Sequence, residues 1–217
     1  MITSFKTYLH EDITDDQVND NDIQTHKKIV FAYGRMNPPT SGHEQLVNTI
    51  RNTAKRLNAP HELVLSGSND AAKNPLTPDQ KLTHARNGFP DTNISMATPD
   101  QPSLVHHLTR LSNAGHDDLH MVAGSDRIPE FQKLVEKYNG KPDKSGNVPF
   151  SFKKVEFHSA GERDPDSDGV SGVSGTKMRA FAKSGDYDSF KKGAPSSMAD
   201  SDARAMFSDV QAGMGKK

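Results

Sequence analysis

Short apolar runs alternate with amphipathic segments along most of the chain. Runs of β-branched and aromatic residues predict strands at 27–34, 61–67, 92–98, 118–126 and 150–159. Between them, apolar residues at helical spacing predict helices at 42–58, 77–89, 102–115 and 128–140. Strands that alternate with helices in this way are typical of a parallel sheet. We therefore expect an α/β fold, a Rossmann-like doubly wound parallel sheet of about five strands.

Polar segments flank this alternating region at both ends. Only 32% of the 217 residues are hydrophobic and the mean hydropathy is -0.77, which is low for a compact α/β protein. Residues 1–27 are polar and acid-rich and predict a leader or linker. Residues 28–195 are expected to form one domain that ends in two short helices. Residues 196–217 have a weak helical period and predict a C-terminal tail helix.

The charge balance limits the class of partner. Lys and Arg number 27 against 28 Asp and Glu, a formal net charge of -1, so any phosphate must bind at a local site and no nucleic acid partner is expected. The sequence holds no cysteine, which fits a reducing compartment. No apolar stretch approaches the roughly 18 residues of a membrane-spanning helix. We expect a cytoplasmic protein without a membrane partner.

A proline-rich loop follows the first predicted strand. The stretch GRMNPPTSGHEQLV, residues 34–47, joins that strand to a helix, and the N-terminus of a helix at the carboxyl end of a parallel strand favours anions. Gly42 allows a close backbone approach to a phosphate, while His43 and Thr40 supply an imidazole and a hydroxyl. A proline turn followed by a helix cap explains the same residues without a ligand.

The loop GRMNPPTSGH resembles the first signature of the nucleotidylyltransferase (cytidylyltransferase-like) superfamily, Gly-x-Phe-x-Pro-x-(His/Thr)-x-Gly-His. Met36 replaces the usual aromatic residue, and Thr40 occupies the place of the first catalytic histidine. The resemblance implies that Thr40 and His43 are catalytic. It also implies nucleotide-binding roles for four further residues: Gly34, Arg35, Asn37 and Gly42.

A second signature lies about 130 residues further along the chain. Residues 173–179, VSGTKMR, resemble the superfamily's Ile-Ser-(Ser/Gly)-Thr-x-x-Arg at the start of a helix. The resemblance implies that Arg179 is catalytic and that the triphosphate contacts Ser174, Gly175 and Thr176. A Ser/Thr helix cap followed by a solvated arginine is the alternative explanation of this segment.

Two further segments resemble parts of the same superfamily. Residues 66–82, SGSNDAAKNPLTPDQKL, are similar to a stretch of archaeal-type nicotinamide mononucleotide adenylyltransferases. The similarity implies that Asn74 faces either ATP or the acceptor of the transferred group, and we assign it to the acceptor. In VAGSDR, residues 122–127, the resemblance implies that Asp126 lines the nucleotide pocket and Arg127 contacts the acceptor phosphate. An ordinary loop, and an exposed arginine at a helix start, are the alternatives.

Together these resemblances imply an ATP-dependent enzyme that transfers AMP to a phosphate monoester, with nicotinamide mononucleotide as the first choice of acceptor. Mg²⁺ would be carried by the nucleoside triphosphate. Transfer from CTP to a small phosphorylated alcohol is the alternative within the class. A non-catalytic nucleotide-binding protein packaged by a phage is the alternative outside it. The oligomeric state, including a homo-oligomer, stays open.

The N-terminal MITSFKTYLHE resembles the short leaders that direct internal proteins into the heads of T-even-type bacteriophages before cleavage after Glu. Phe5, Tyr8 and Leu9 would share one helical face that docks on a scaffold. The resemblance implies a phage-encoded protein whose residues 1–11 are a capsid-targeting peptide. It also implies packaging in the virion.

No metal site formed by protein ligands is expected from the sequence. The acidic DPDSDG, residues 164–169, opens like a calcium loop, but its twelfth position is Gly175 instead of a bidentate glutamate. His106 and His107 are adjacent in a predicted helix and therefore point in different directions.

Overall fold

The computed structural model describes residues 26–161 and 173–215. Five strands form in chain order: β1 (Lys28–Gly34), β2 (His61–Leu65), β3 (Ile94–Met96), β4 (Asp118–Ala123) and β5 (Lys154–Ser159). Seven α-helices accompany them in this part of the chain: α1 (Glu44–Leu57), α2 (Pro78–Gly88), α3 (Leu104–Asn113), α4 (Ile128–Tyr138), α5 (Gly175–Ser184), α6 (Tyr187–Gly193) and α7 (Asp200–Gly213). A single 3₁₀ turn, Ser41–His43, precedes α1.

The five strands form one parallel sheet in the order β3-β2-β1-β4-β5. The chain first moves outward from β1 to β3 and then returns to the other side of β1 to form β4. This reversal confirms the predicted doubly wound, Rossmann-like sheet. The point of reversal lies between β1 and β4, where open α/β sheets bind ligands at the carboxyl ends of the strands.

Alternating side chains of β1 face two separate hydrophobic cores. Ile29 and Phe31 pack with α3 and α4 on one face of the sheet. Val30 and Ala32 pack with α1 and α2 on the other face. These four side chains are at most 4% exposed, as expected for a central strand of a sheet covered on both faces.

Local sequence signals account for the start of α2. Thr77 caps the helix, since its Oγ1 accepts from the Gln80 backbone N–H at 3.3 Å and the Gln80 side chain accepts from the Thr77 N–H at 3.0 Å. This reciprocal pair is the predicted capping box, with Pro78 at the first helical position.

The last strand begins later than the sequence predicts. Residues 150–153 were expected in β5, but the strand begins at Lys154. The reason lies in Asn139, whose side chain accepts from the Phe152 N–H at 2.7 Å and donates to the Phe152 carbonyl at 3.0 Å. The Asn139 amide thereby makes the backbone hydrogen bonds that a neighbouring strand would otherwise make. Both Phe150 and Phe152 are buried in the core next to α4.

The C-terminal segment builds a third core. α7 buries Ala203, Met206 and Val210 in a cluster with α5 and α6. His84 of α2 also lies 2.7 Å from Asp209 of α7. The segment expected as a tail helix therefore covers part of the domain.

Residues 1–25, which hold the proposed capsid-targeting peptide, and residues 162–172, which hold DPDSDG, lie outside the described residues. Within the ranges 26–161 and 173–215, none of the helices has the length and apolar character needed to cross a membrane.

Candidate functional site

A cavity of about 880 Å³ lies at the carboxyl ends of β1 and β4. Its volume is in the range of pockets that bind small molecules. Both predicted motifs reach it, the first through Gly34, Arg35, Asn37 and His43, and the second through Ser174, Gly175, Thr176 and Arg179. The predicted residues Asn74, Asp126 and Arg127 also line it. The fold therefore brings together residues that are up to 145 positions apart.

Thr40 contacts the His43 ring at Nδ1. Thr40 is only 1% exposed and does not line the cavity. Its backbone N–H donates to His43 Nδ1 at 3.1 Å, and its Oγ1 lies 2.9 Å from the same nitrogen. Because Nδ1 accepts from the backbone, a neutral His43 ring carries its proton on Nε2. The Thr40 side chain thus contacts the imidazole instead of the cavity.

Gly42 allows the two motifs to touch. A Cβ at this position would lie 2.7 Å from the Val173 carbonyl oxygen, which is closer than a real Cβ contact. Like Thr40, Gly42 does not line the cavity. Its small size serves the contact with the segment that leads into α5.

Asn37 connects three parts of the site. Its buried side chain donates to the Leu76 carbonyl and accepts from the Leu76 N–H, each at 3.0 Å. Its own carbonyl accepts from Arg179 Nη1 at 2.8 Å. The side-chain amide predicted to bind nucleotide therefore holds the 66–82 segment against the first motif.

The second motif forms the first turn of α5. Ser174 Oγ accepts from the Lys177 N–H at 3.2 Å and so caps the helix, as the ligand-free alternative predicts. Arg179 departs from that alternative because it is half-buried, and its Nη2 donates to Thr176 Oγ1 at 3.0 Å. The first turn of α5 and Arg179 both line the cavity.

Among the described residues, the charged side chains that line the cavity are mostly positive. The one carboxylate in this part of the chain is Asp126, and the five cations are Arg35, Lys73, Arg127, Arg179 and Lys183. Burial lowers the pKa of Arg179, and the charge of Arg35 lowers it further, against an opposing effect of Asp70. Cations that repel one another in this way create a positive potential that favours a polyanion.

Lys81 adds a buried cation behind the lining. It is 0% exposed. Its Nζ donates to the Ser66 carbonyl at 2.6 Å and the Ser68 carbonyl at 3.0 Å, and both serines line the cavity. Burial, with a smaller effect of Arg35, lowers the pKa of Lys81 to about 8. The lysine fixes the turn that follows β2 and adds to the positive potential of the site.

The three remaining predicted residues lie at the cavity in different ways. Asn74 is 6% exposed and its amide donates to Asp70 Oδ2 at 2.5 Å, so its side chain stabilises a turn. Asp126 and Arg127 are exposed. Arg127 Nη1 lies 3.1 Å from Glu130 Oε2, and its guanidinium lies over the Phe131 ring.

Sequence reasoning missed several lining residues, among them Ser66, Ser68, Lys73 and Lys183. Ser66 and Ser68 begin the loop after β2, a position that parallel-sheet topology directs to the same edge. Lys183 lies four residues after Arg179 in α5, so helical spacing places it on nearly the same face.

No protein-family model and no curated protein matches this sequence. Among solved structures, the fold is similar to that of Thermotoga maritima TmcAL bound with alpha-thio ATP, with a TM-score of 0.50 at 10% sequence identity. The match covers 87% of this chain and 56% of the TmcAL chain, so this protein spans little more than half the length of that one. At this identity the likeness is one of fold, and it agrees with the parallel α/β sheet.

Proposed function

We propose that this protein is a nucleotidylyltransferase that transfers AMP from ATP to a phosphate monoester. The observation that carries the proposal is the hydrogen bond from Arg179 Nη1 to the Asn37 carbonyl, 142 positions away. It joins the two motifs that resemble the superfamily's signatures at one cavity. A triphosphate that binds both motifs requires them to lie this close together.

The charge of the cavity supports a triphosphate ligand. Cations from four separate segments surround it: Arg35 from the first motif, Lys73 from the third segment, Arg127 at the start of α4, and Arg179 with Lys183 from α5. The first turn of α5 adds backbone N–H groups and the positive end of a helix dipole. The structure of TmcAL with alpha-thio ATP is a precedent for a nucleotide on a similar fold.

In the proposed reaction, a phosphate oxygen of the acceptor attacks the α-phosphorus of ATP. A new oxygen–phosphorus bond forms, the bond from the α-phosphorus to the bridging oxygen of the β-phosphate breaks, and pyrophosphate leaves. The acceptor oxygen is already an anion, so no general base is needed. The protein therefore holds two anions in line and neutralises the charge that grows on the phosphate oxygens.

His43 and Arg179 would supply that neutralisation. With its Nδ1 accepting from Thr40, a neutral His43 has an Nε2–H to donate to a phosphate oxygen. The Arg179 guanidinium has more N–H groups than its bonds to Asn37 and Thr176 use. Mg²⁺ bound to the nucleotide would supply further charge neutralisation, and among the described lining residues Asp126 offers a carboxylate that suits a hard cation.

Nicotinamide mononucleotide is the proposed acceptor, because the 66–82 segment resembles adenylyltransferases that use it. Arg127, the residue immediately before α4, is the proposed partner of the acceptor phosphate. The phosphate-binding residues do not distinguish the base of the nucleotide. CTP with a phosphorylated alcohol is therefore the substrate pair to test against ATP with nicotinamide mononucleotide.

Release of pyrophosphate from the full chain tests this proposal. We expect release with ATP and nicotinamide mononucleotide together and little release with either alone. Release that depends on CTP and a phosphorylated alcohol would replace adenylyl transfer with cytidylyl transfer. The same assay would be repeated with a panel of other phosphate monoesters as acceptors. Nucleotide binding without turnover for every acceptor in this panel would contradict an enzymatic role and favour a packaged binding protein. The His43→Ala variant is the control for contaminating activity.

A further inference from the structure

Three side chains on β4 and β5 bring metal-binding atoms together, away from the nucleotide cavity. His120 faces the α1 side of the sheet from β4, and Glu156 and His158 face the same side from β5. The pairing register sets Glu156 directly beside His120, and His158 beside Val122. None of the three lines the nucleotide cavity.

The donor atoms form a compact triangle. His120 Nδ1 lies 3.0 Å from His158 Nε2 and 3.4 Å from Glu156 Oε2, and the third edge, between His158 Nε2 and Glu156 Oε2, is 3.9 Å. A tetrahedral metal with bonds of about 2.0 to 2.1 Å separates its ligand atoms by about 3.3 to 3.4 Å. The three edges average about that value, so a single ion reaches all three atoms with small side-chain adjustments.

The surroundings of His120 point to a cation as well. His120 and Asp118 are each 1% exposed. His120 Nε2 lies 3.1 Å from Asp118 Oδ1, yet the two atoms are not aligned for a hydrogen bond and neither has another such partner. Buried polar atoms are nearly always satisfied. Ligation through Nδ1 would orient the ring and let Nε2–H donate to Asp118, the arrangement that commonly supports a metal-bound histidine.

The two carboxylate oxygens of Glu156 have different neighbours. Its Oε1 lies 2.5 Å from Lys154 Nζ, which leaves Oε2 directed at the histidines. The side chain of Glu156 is 42% exposed and that of His158 is 18% exposed, so an ion has a path from solvent. Asp118 and Glu156 supply two negative charges, and Lys154 and Arg56 are the nearby cations that oppose them.

We propose that His120, Glu156 and His158 bind a divalent transition metal of the zinc class. Two imidazoles and one carboxylate suit Zn²⁺, with a water molecule in the fourth position. Because β5 is the edge strand of the sheet, the ion would fasten it to β4. This site is independent of the proposed adenylyl transfer and does not require it.

Titration of the tag-free full chain with Zn²⁺ after removal of metals tests the proposal. We expect one Zn²⁺ per chain, and a rise in the unfolding temperature of about 5 to 10 °C at a free concentration of 100 times Kd. Substitution by Co²⁺ should give the strong visible absorption of a tetrahedral ion. Absence of binding, or a Co²⁺ spectrum of an octahedral ion, would overturn the site.

Variants identify the ligands. The double substitution Glu156→Gln and His158→Gln removes two partly exposed donors and should weaken Zn²⁺ binding by at least about 100-fold. The matched control is His106→Gln with Glu136→Gln, which changes the same residue types on exposed parts of α3 and α4. Asp118→Asn should weaken binding by about 10- to 100-fold through the ring of His120. Equal affinity in the ligand variant and the control would overturn the assignment.

Discussion

The backbone N–H of Thr40 donates to His43 Nδ1 at 3.1 Å, and this bond determines which nitrogen of the catalytic candidate accepts. The threonine side chain reinforces the arrangement from 2.9 Å. Thr40, which the sequence predicts to act on the phosphates itself, thus orients His43, the residue proposed to contact a phosphate. Since the backbone supplies the main bond, the orientation of His43 depends on the loop conformation as well as on the threonine side chain.

Removal of the His43 imidazole should abolish most of the activity and leave the fold intact. We expect His43→Ala to lower kcat by about 10²- to 10³-fold, the usual loss when one donor to a developing charge is removed. His106→Ala, an exposed histidine of α3, is the control and should keep full activity. Pyrophosphate release and circular dichroism are the measurements. A folded His43→Ala protein with normal turnover would contradict the proposed role.

Arg179→Lys should impair catalysis although the positive charge stays. Lysine cannot donate at once to the Asn37 carbonyl, to Thr176 Oγ1 and to a phosphate from a planar fork. The loss of charge-assisted bonds predicts a fall of about 10- to 100-fold in kcat/KM for ATP. The same exchange at Arg204, which is exposed on α7, is the control. Equal kcat/KM for the two variants would argue against a phosphate contact by Arg179.

Gly42→Ala should destabilise the contact between the two motifs. The new Cβ would lie 2.7 Å from the Val173 carbonyl oxygen, so one backbone segment must move. Overpacking of this kind costs about 1 to 3 kcal/mol, which corresponds to a fall of about 2 to 12 °C in the unfolding temperature. Gly34→Ala is the control for stability, because a Cβ there has nothing within 4 Å. Thermal unfolding of both variants checks the prediction, and an unchanged midpoint for Gly42→Ala would refute it.

Lys81 predicts a particular pH dependence of stability. The folded protein holds the pKa of Lys81 at about 8, below the ordinary value of 10.5. Between these pH values the unfolded chain binds the proton and the folded protein does not, so this group makes the free energy of unfolding rise with pH. Lys81→Met should therefore lower the slope by up to about 1 kcal/mol per pH unit.

Denaturant unfolding from pH 7 to pH 10 measures that slope. Lys133→Met, which changes an exposed lysine of α4, is the control and should keep the wild-type slope. Subtracting the slope measured for Lys81→Met from the slope measured for Lys133→Met removes the contribution of other groups that titrate in the same range. Parallel curves for Lys81→Met and the wild type would show that Lys81 keeps an ordinary pKa.

The elements that depend on local signals follow from the sequence. The capping box of Thr77 and Gln80 needs only residues three positions apart, and the five strands need only short apolar runs. The late start of β5 does not follow, because it depends on Asn139 replacing a strand. A local pattern cannot show which distant side chain satisfies a backbone group.

The site follows from the sequence only in part. Motif resemblance selects Arg179 and His43, but it does not reveal that the Asn37 side chain bonds to Leu76 and the Thr40 side chain contacts His43. Lys81 lies on a polar stretch of α2, and its burial depends on how the turn after β2 folds over it. His120 and His158 are 38 positions apart, and only the register of β4 with β5 brings their nitrogens to 3.0 Å.

The fate of the α-phosphorus tests adenylyl transfer most directly. Single-turnover reactions of the full chain with nicotinamide mononucleotide would use ATP labelled either at the α- or at the γ-phosphorus. We predict that the α-label appears in a dinucleotide product and the γ-label in pyrophosphate, and that His43→Ala slows both together. Transfer of the γ-label to the acceptor, or recovery of all label in unreacted ATP across the panel of acceptors, would contradict the account.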